Sequence, residues 1–97
     1  MKVLVTYDVN TASEHGARRL RKVAKACQNY GLRVQNSVFE CVLDESKFVT
    51  LRNELQEIID ADNDSVRFYF LGNNWQKRVE TIGFSLIQDV ENDTFIL

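Results

Sequence analysis

Between Lys2 and Leu71 the apolar pattern of this 97-residue chain switches repeatedly between a period of about two and one of about 3.6 residues, which only helices packed on a sheet accommodate. Residues 2–9 are rich in valine, leucine and tyrosine, and both faces are apolar, so they predict a central strand. Residues 10–16 read as a polar loop. Residues 17–30 set Ala17, Leu20, Val23, Ala24, Cys27 and Tyr30 on one helical face, and Gly31 reads as a left-handed stop. Residues 32–43 read as a long second strand whose alternation breaks at Asn36 and Ser37, predicting a bulge or bend there. Asp44 or Ser46 caps a second helix to about Ile59, with Phe48, Leu51, Leu55, Ile58 and Ile59 as its apolar stripe. Past an acidic turn at 60–64, residues 65–71 set Val66, Phe68 and Phe70 against Arg67, Tyr69 and Leu71, a strand closed by Gly72, Asn73 and Asn74.

With the second strand folded on itself, this order predicts a ferredoxin-like α/β (α+β) sandwich, βαββαβ, with an antiparallel sheet and both helices on one face. Short edge strands at 78–83 and 94–97, around a polar turn at 88–93, complete the expectation. Residues 1–97 are expected to form a single domain, with a tail from about 84–97 packing on a partner protomer. A chain this small buries only about 60–65% of its unfolded surface, so a second copy on the uncovered sheet face would add stability; a homodimer is expected. No apolar run approaches the roughly 20 residues of a membrane span. The charge at Asp8 interrupts the N-terminal apolar segment too early for a secretory signal, and the chain reads as cytoplasmic. Cys27 and Cys41 each sit in an apolar pattern, as buried thiols do.

The net charge of −2 argues against a nucleic-acid partner only until its distribution is considered. From residue 15 to 39 there is no acidic residue, but there are Arg18, Arg19, Arg21, Lys22, Lys25 and Arg33. From 40 to 64 the balance reverses, with Glu40, Asp44, Glu45, Glu54, Glu57, Asp60, Asp62 and Asp64 against Lys47 and Arg52. A molecule with one basic face binds phosphates whatever its total charge. The bland alternative is two solvated helix faces.

Asp8 is the residue most suggestive of chemistry. It ends an otherwise apolar strand, beside Tyr7 and before a polar loop. A carboxylate there can cap the turn, pair with an arginine, or ligate a hard cation such as Mg²⁺. One carboxylate per chain is too few for a tight magnesium site, but a two-fold axis that brings two Asp8 residues together lets them share an ion able to activate water at a phosphodiester. His15, the sole histidine, reads as a solvated loop residue. Tyr30, Phe39, Phe68, Phe70 and Trp75 fit packing better than base stacking. No phosphate-binding glycine loop and no nucleophile–histidine spacing is present. The RNA-recognition motif on this same fold needs a glycine- and aromatic-rich central strand that neither 32–43 nor 65–71 supplies.

Several segments together, in order and spacing, resemble the CRISPR-associated Cas-two family of small spacer-acquisition proteins. They are Val3-Leu4-Val5-Thr6-Tyr7-Asp8-Val9, Arg19-Leu20-Arg21-Lys22-Val23-Ala24-Lys25, the run from Tyr30 to Cys41, Val66-Arg67-Phe68-Tyr69 and Leu71-Gly72. The Asn36–Cys41 run looks most like the type I-C branch. The resemblance implies a ferredoxin-like homodimer that acts in CRISPR adaptation. It implies that Asp8 is the metal-linked catalytic residue of a Mg²⁺-dependent endonuclease cleaving RNA or double-stranded DNA. Tyr7, Arg19, Arg21, Arg33 and Phe39 fall on positions linked to activity or nucleic-acid contact, and the charge pattern adds Arg18, Lys22 and Lys25. The resemblance equally allows a non-catalytic scaffold that binds prespacer duplex and bridges dimers of the CRISPR integrase.

Overall fold

A computed structural model describes residues 1–72. The edge strands expected at 78–83 and 94–97, the turn at 88–93, the tail from about 84 and Trp75 lie outside the described residues. The elements run β1 (Lys2–Asp8), α1 (Gly16–Gln28), β2 (Gly31–Gln35), β3 (Val38–Val42), α2 (Glu45–Ile58) and β4 (Ser65–Gly72). The four strands form one antiparallel sheet in the order β2-β3-β1-β4. Each helix therefore crosses over one intervening strand, the split βαβ arrangement of the ferredoxin-like fold. No helix among the described residues is long and apolar enough to cross a membrane.

Strand alternation divides the sheet into two faces. Val3, Val5, Tyr7 and Val9 point toward the helices and join Phe39, Cys41 and Leu43 in the core. From α1 come Val23, Ala26 and Cys27, and from α2 Leu51 and Leu55. Phe48 of α2 meets Phe68 and Phe70 of β4 edge to face, at 5.2 and 5.1 Å between ring centres. The opposite face carries Lys2, Leu4, Thr6 and Asp8 of β1, with Glu40 beside Leu4 in the ladder. There Lys2 Nζ lies 3.3 Å from Glu40 Oε1, both side chains nearly fully buried.

The break at Asn36 and Ser37 is a complete reversal rather than a bulge or bend, so residues 32–43 fold on themselves as the β2–β3 hairpin that the βαββαβ order requires. Neither turn residue has a positive φ, which a tight hairpin usually requires; the ladder absorbs the mismatch as a register shift between Arg33 and Gln35. The turn docks on β1, where Tyr7 N–H donates to Ser37 O at 3.1 Å and Tyr7 O–H to Asn36 O at 3.2 Å. Gly31, in turn, is not a left-handed helix stop but the first residue of β2, with no positive φ. It is glycine because a Cβ there would sit 2.0 Å from Glu40 O. Helix α2 begins as expected, with Lys47 N–H donating to Asp44 Oδ1 at 2.7 Å.

Cys27 and Cys41 are free and buried, and burial pushes their thiols up to about 12 and about 11. Neither should react with iodoacetamide at pH about 8 in the folded protein, and both should react in denaturant. Leu51 is fully buried at the helix–sheet junction. Leu51→Ala is expected to cost about 2–5 kcal/mol in urea unfolding.

Candidate active site

The C-terminal end of β1 carries the site. The last rung of the β1–β4 ladder pairs Asp8 with Ser65, and the preceding ones pair Tyr7 with Val66 and Thr6 with Arg67. Asp8 belongs to the face opposite the helices, as do Thr6, Ser65, Arg67 and Tyr69. Together with Tyr7 these residues line an open cleft of about 240 Å³. The Asp8 side chain is exposed, and among the described residues it has no hydrogen-bond or ion-pair partner. Tyr69 engages the Arg67 side chain, an interaction that raises the arginine's pKa further. The cleft thus presents one carboxylate, one guanidinium and the hydroxyls of Thr6, Ser65 and Tyr69, the set that meets a phosphodiester with a cation.

Asp8 does not cap the following turn. Asn10 does so, accepting from Ala12 N–H through Oδ1 at 3.0 Å, while Ser13 N–H and Oγ–H donate to Asn10 O at 3.2 and 2.6 Å. Asp8 is still in the strand, so its side chain follows the sheet alternation rather than the loop. His15 is exposed, as expected, and adopts a left-handed conformation at φ 60°. Gly16 lets the loop close on the helix start, where a Cβ would meet Asn10 O at 2.2 Å.

The loop is pinned by a residue that periodicity left in an acidic turn. Asp64 has a fully buried side chain and accepts four hydrogen bonds, two at each oxygen. Asn10 N–H (3.0 Å) and Arg19 Nη2 (3.3 Å) reach Oδ1, and Arg19 Nε (2.7 Å) and Asp60 N–H (2.9 Å) reach Oδ2. The Arg19 bond, joined by those backbone N–H groups, holds the Asp64 carboxyl below its ordinary value despite burial. Arg19 also donates from Nη1 to Glu14 O (2.7 Å) and from Nη2 to Ser13 Oγ (2.6 Å).

The other residues singled out from sequence fall into two groups. Arg18, Arg21, Lys22 and Lys25 are exposed and spaced as one stripe along the solvent side of α1. That stripe lies in the helix layer, across the sheet from the Asp8 cleft. Tyr7, Phe39 and Arg33 form a stack on the helix side. The Tyr7 and Phe39 rings are 6.2 Å apart, and the Arg33 guanidinium lies 5.2 Å from the Phe39 ring centre. Burial pushes the Tyr7 hydroxyl up, with Arg33 pulling partly back. Phe39 has no exposed surface, so in this conformation its part is packing beneath Arg33 rather than direct contact with nucleic acid. Sequence reasoning missed Asp64, Arg67, Tyr69 and Ser65 as site residues. The alternation at 65–71 did put Arg67 and Tyr69 on one face, but nothing local tied that face to Asp8.

Fold and site together define a small ferredoxin-like protein with a carboxylate-bearing cleft at a strand end and a basic helix surface. The family model for CRISPR associated protein Cas2 matches residues 1–79. The chain is 58% identical over 97 residues to the CRISPR-associated endoribonuclease Cas2 of Chlorobaculum tepidum, covering 100% of both chains. It is 56% identical over 92 residues to the CRISPR-associated endonuclease Cas2 of Halalkalibacterium halodurans, covering 95% of this chain and 96% of that one. The crystal structure of Streptococcus pyogenes Cas2 at pH 6.5 superposes with a TM-score of 0.76 at 60% identity, covering 86% of this chain and 100% of that one. The chain belongs to the Cas2 family.

The Asp64 carboxyl gives the site a defined acid sensitivity. Its folded pKa lies below the ordinary 3.8, so its stabilising contribution is present above that value and is lost as pH falls through the lower folded one. Urea unfolding across pH about 7 to 2 should show a steeper loss below 3.8 for the wild type than for Asp64→Asn, which has no such proton to take up.

Proposed function

We propose that this protein is a divalent-metal-dependent endonuclease of CRISPR adaptation that works as a homodimer, with Asp8 as its catalytic ligand. The observation that carries this reading is the exposed, unpartnered Asp8 carboxylate in a cleft beside Arg67. The names of the endonuclease and endoribonuclease relatives support it.

The donor set fits magnesium in a specific way. Among the described residues no three His, Cys, Asp or Glu side chains gather to hold a metal alone. Magnesium needs no such cage, since it binds through one or two carboxylates and completes its shell with water and substrate phosphate oxygens. Asp8 of each copy would supply those carboxylates, and the bound ion would neutralise charge developing on the phosphodiester. Arg67 stands where a non-bridging phosphate oxygen would be held, and Tyr69 orients its guanidinium. Leu32, Val42 and Tyr69 are exposed at 58, 64 and 45% on the same sheet face, apolar surface that a second copy would cover. RNA and double-stranded DNA both present the phosphodiester this site reads.

A second reading has its own observation. The Arg18, Arg21, Lys22 and Lys25 stripe lies away from the cleft, so it can hold a duplex without presenting it for cleavage. That is the surface a prespacer-binding scaffold between CRISPR integrase dimers would use, with Arg33 at the sheet edge as a further phosphate contact.

Asp8→Asn should lower Mg²⁺-dependent cleavage by about 10²-fold or more, the scale of removing one electrostatic stabiliser of a transition state, with duplex affinity and dimer mass unchanged. Undiminished cleavage by the variant would leave only the scaffold reading. The double variant Arg21→Ala, Lys25→Ala should weaken duplex binding and reduce its salt slope by about 2, one unit for each phosphate-binding side chain removed. An unchanged slope would make the stripe a solvated face. Sedimentation at micromolar concentration should give twice the 11.2 kDa chain mass; a monomer alone would contradict the shared site.

A further inference from the structure

We propose that Arg19 and Asp64 are positioning residues whose buried ion pair sets where the Asp8 carboxylate stands. Asp8 is paired in the final rung of the β1–β4 ladder, opposite Ser65. Terminal rungs fray unless something beyond them closes the ladder. Here the closure is Asn10 N–H donating to Asp64 Oδ1 at 3.0 Å, a bond from two residues past Asp8 to the residue just before Ser65.

Arg19 holds both sides of that closure. It grips Asp64 through Nε and Nη2 at 2.7 and 3.3 Å, and Nη2 also donates to Ser13 Oγ at 2.6 Å. The Ser13 hydroxyl passes its own hydrogen to Asn10 O at 2.6 Å, so Asn10 is tied at both its N–H and its carbonyl. The third guanidinium nitrogen, Nη1, is taken by Glu14 O at 2.7 Å. With all three nitrogens engaged and its side chain 12% exposed, Arg19 is set apart from the exposed basic stripe on the same helix. It acts on activity by fixing the β1–α1 loop, not by touching a phosphate.

This inference rests on Asp8 being the catalytic ligand. It is tested on full-length Arg19→Ala, Asp64→Asn, their double variant, Ser13→Ala and Asp8→Asn. Cleavage kinetics, duplex affinity against salt and amide hydrogen exchange are measured well below the melting temperature of the weakest variant. The expected result is a kcat loss of about 10²-fold in both Arg19→Ala and Asp64→Asn, the cost of an ångström-scale misplacement, at unchanged KM, duplex affinity and salt slope. The double variant should be no worse than the poorer single, as for two halves of one device. Ser13→Ala keeps the ion pair, so it should melt near wild type yet still lose several-fold in kcat, about the weight of one supporting hydrogen bond. Exchange should accelerate at the Asn10 amide and stay slow at the core amide of Val5.

Weaker duplex binding and a salt slope lower by about one in Arg19→Ala, with Asp64→Asn neutral, would make Arg19 a phosphate contact and overturn the inference. Exchange accelerating equally at Val5 and Asn10 would reduce the pair to general stability, and would also overturn it. An inactive Asp8→Asn beside a fully active Asp64→Asn removes this inference alone. An undiminished Asp8→Asn removes the Asp8 assignment and the inference with it.

Discussion

A single buried carboxylate, Asp64, joins the two loops on which the site depends. A carboxylate removed from water carries a desolvation cost of several kcal/mol unless its lone pairs are filled and its charge is matched. Asp64 meets both conditions, with two donors at each oxygen and the Arg19 guanidinium among them. Removing any one partner would leave part of a buried charge unanswered, so the arrangement holds as a unit. Its location follows from topology. Because β1 and β4 are antiparallel neighbours, the end of β1 and the start of β4 lie at the same edge of the sheet. The β1–α1 and α2–β4 loops are therefore side by side, and the ion pair fastens one to the other.

The sheet then separates two kinds of work. Its helix side is a core of valine, leucine, phenylalanine and cysteine, closed by the stack of Tyr7, Phe39 and Arg33. Its other side holds the buried Lys2–Glu40 pair, the Asp8 cleft and apolar residues left partly exposed. A strand that alternates strictly can serve both, because Tyr7 and Asp8 are adjacent in sequence yet point to opposite faces. The neighbours of Asp8 are thus its cross-strand partners on β4 rather than the basic helix close to it in sequence. The Asp8 cleft and the basic stripe of α1 lie on opposite sides of the sheet, which makes the proposed catalytic and scaffold roles separable.

The elements that rest on long periodic runs were legible in the sequence: β1, both helices, β4 and the core residues Val3, Val5, Val23, Cys27, Leu51 and Leu55. The hairpin was half legible. Asn36 and Ser37 marked a break, but Asn36 is not followed by the glycine that makes a left-handed hairpin turn recognisable, so reversal and bend read alike. Gly31 was misread because a glycine after a helix usually signals a left-handed stop, whereas here the constraint is the Glu40 backbone from a strand not yet placed. In the site, Asp8 stood out because a charge at the end of an apolar strand is unusual. Asp64 did not, since Asp60, Asp62 and Asp64 are alike in sequence and only the tertiary approach of Arg19 and Asn10 distinguishes the buried one. Arg67 needed the strand order and the register before its nearness to Asp8 could be seen.

Cation binding at Asp8, rather than in the acidic turn that precedes β4, is the chemistry proposed for this chain. Titrating isotopically labelled protein with Mn²⁺ and following the paramagnetic broadening of backbone amides tests it directly. Broadening should begin at Asp8 and Val9 and at Ser65 and Arg67 across the ladder. Broadening centred on Asp60 and Asp62, with the Asp8 and Arg67 amides left sharp, would contradict it.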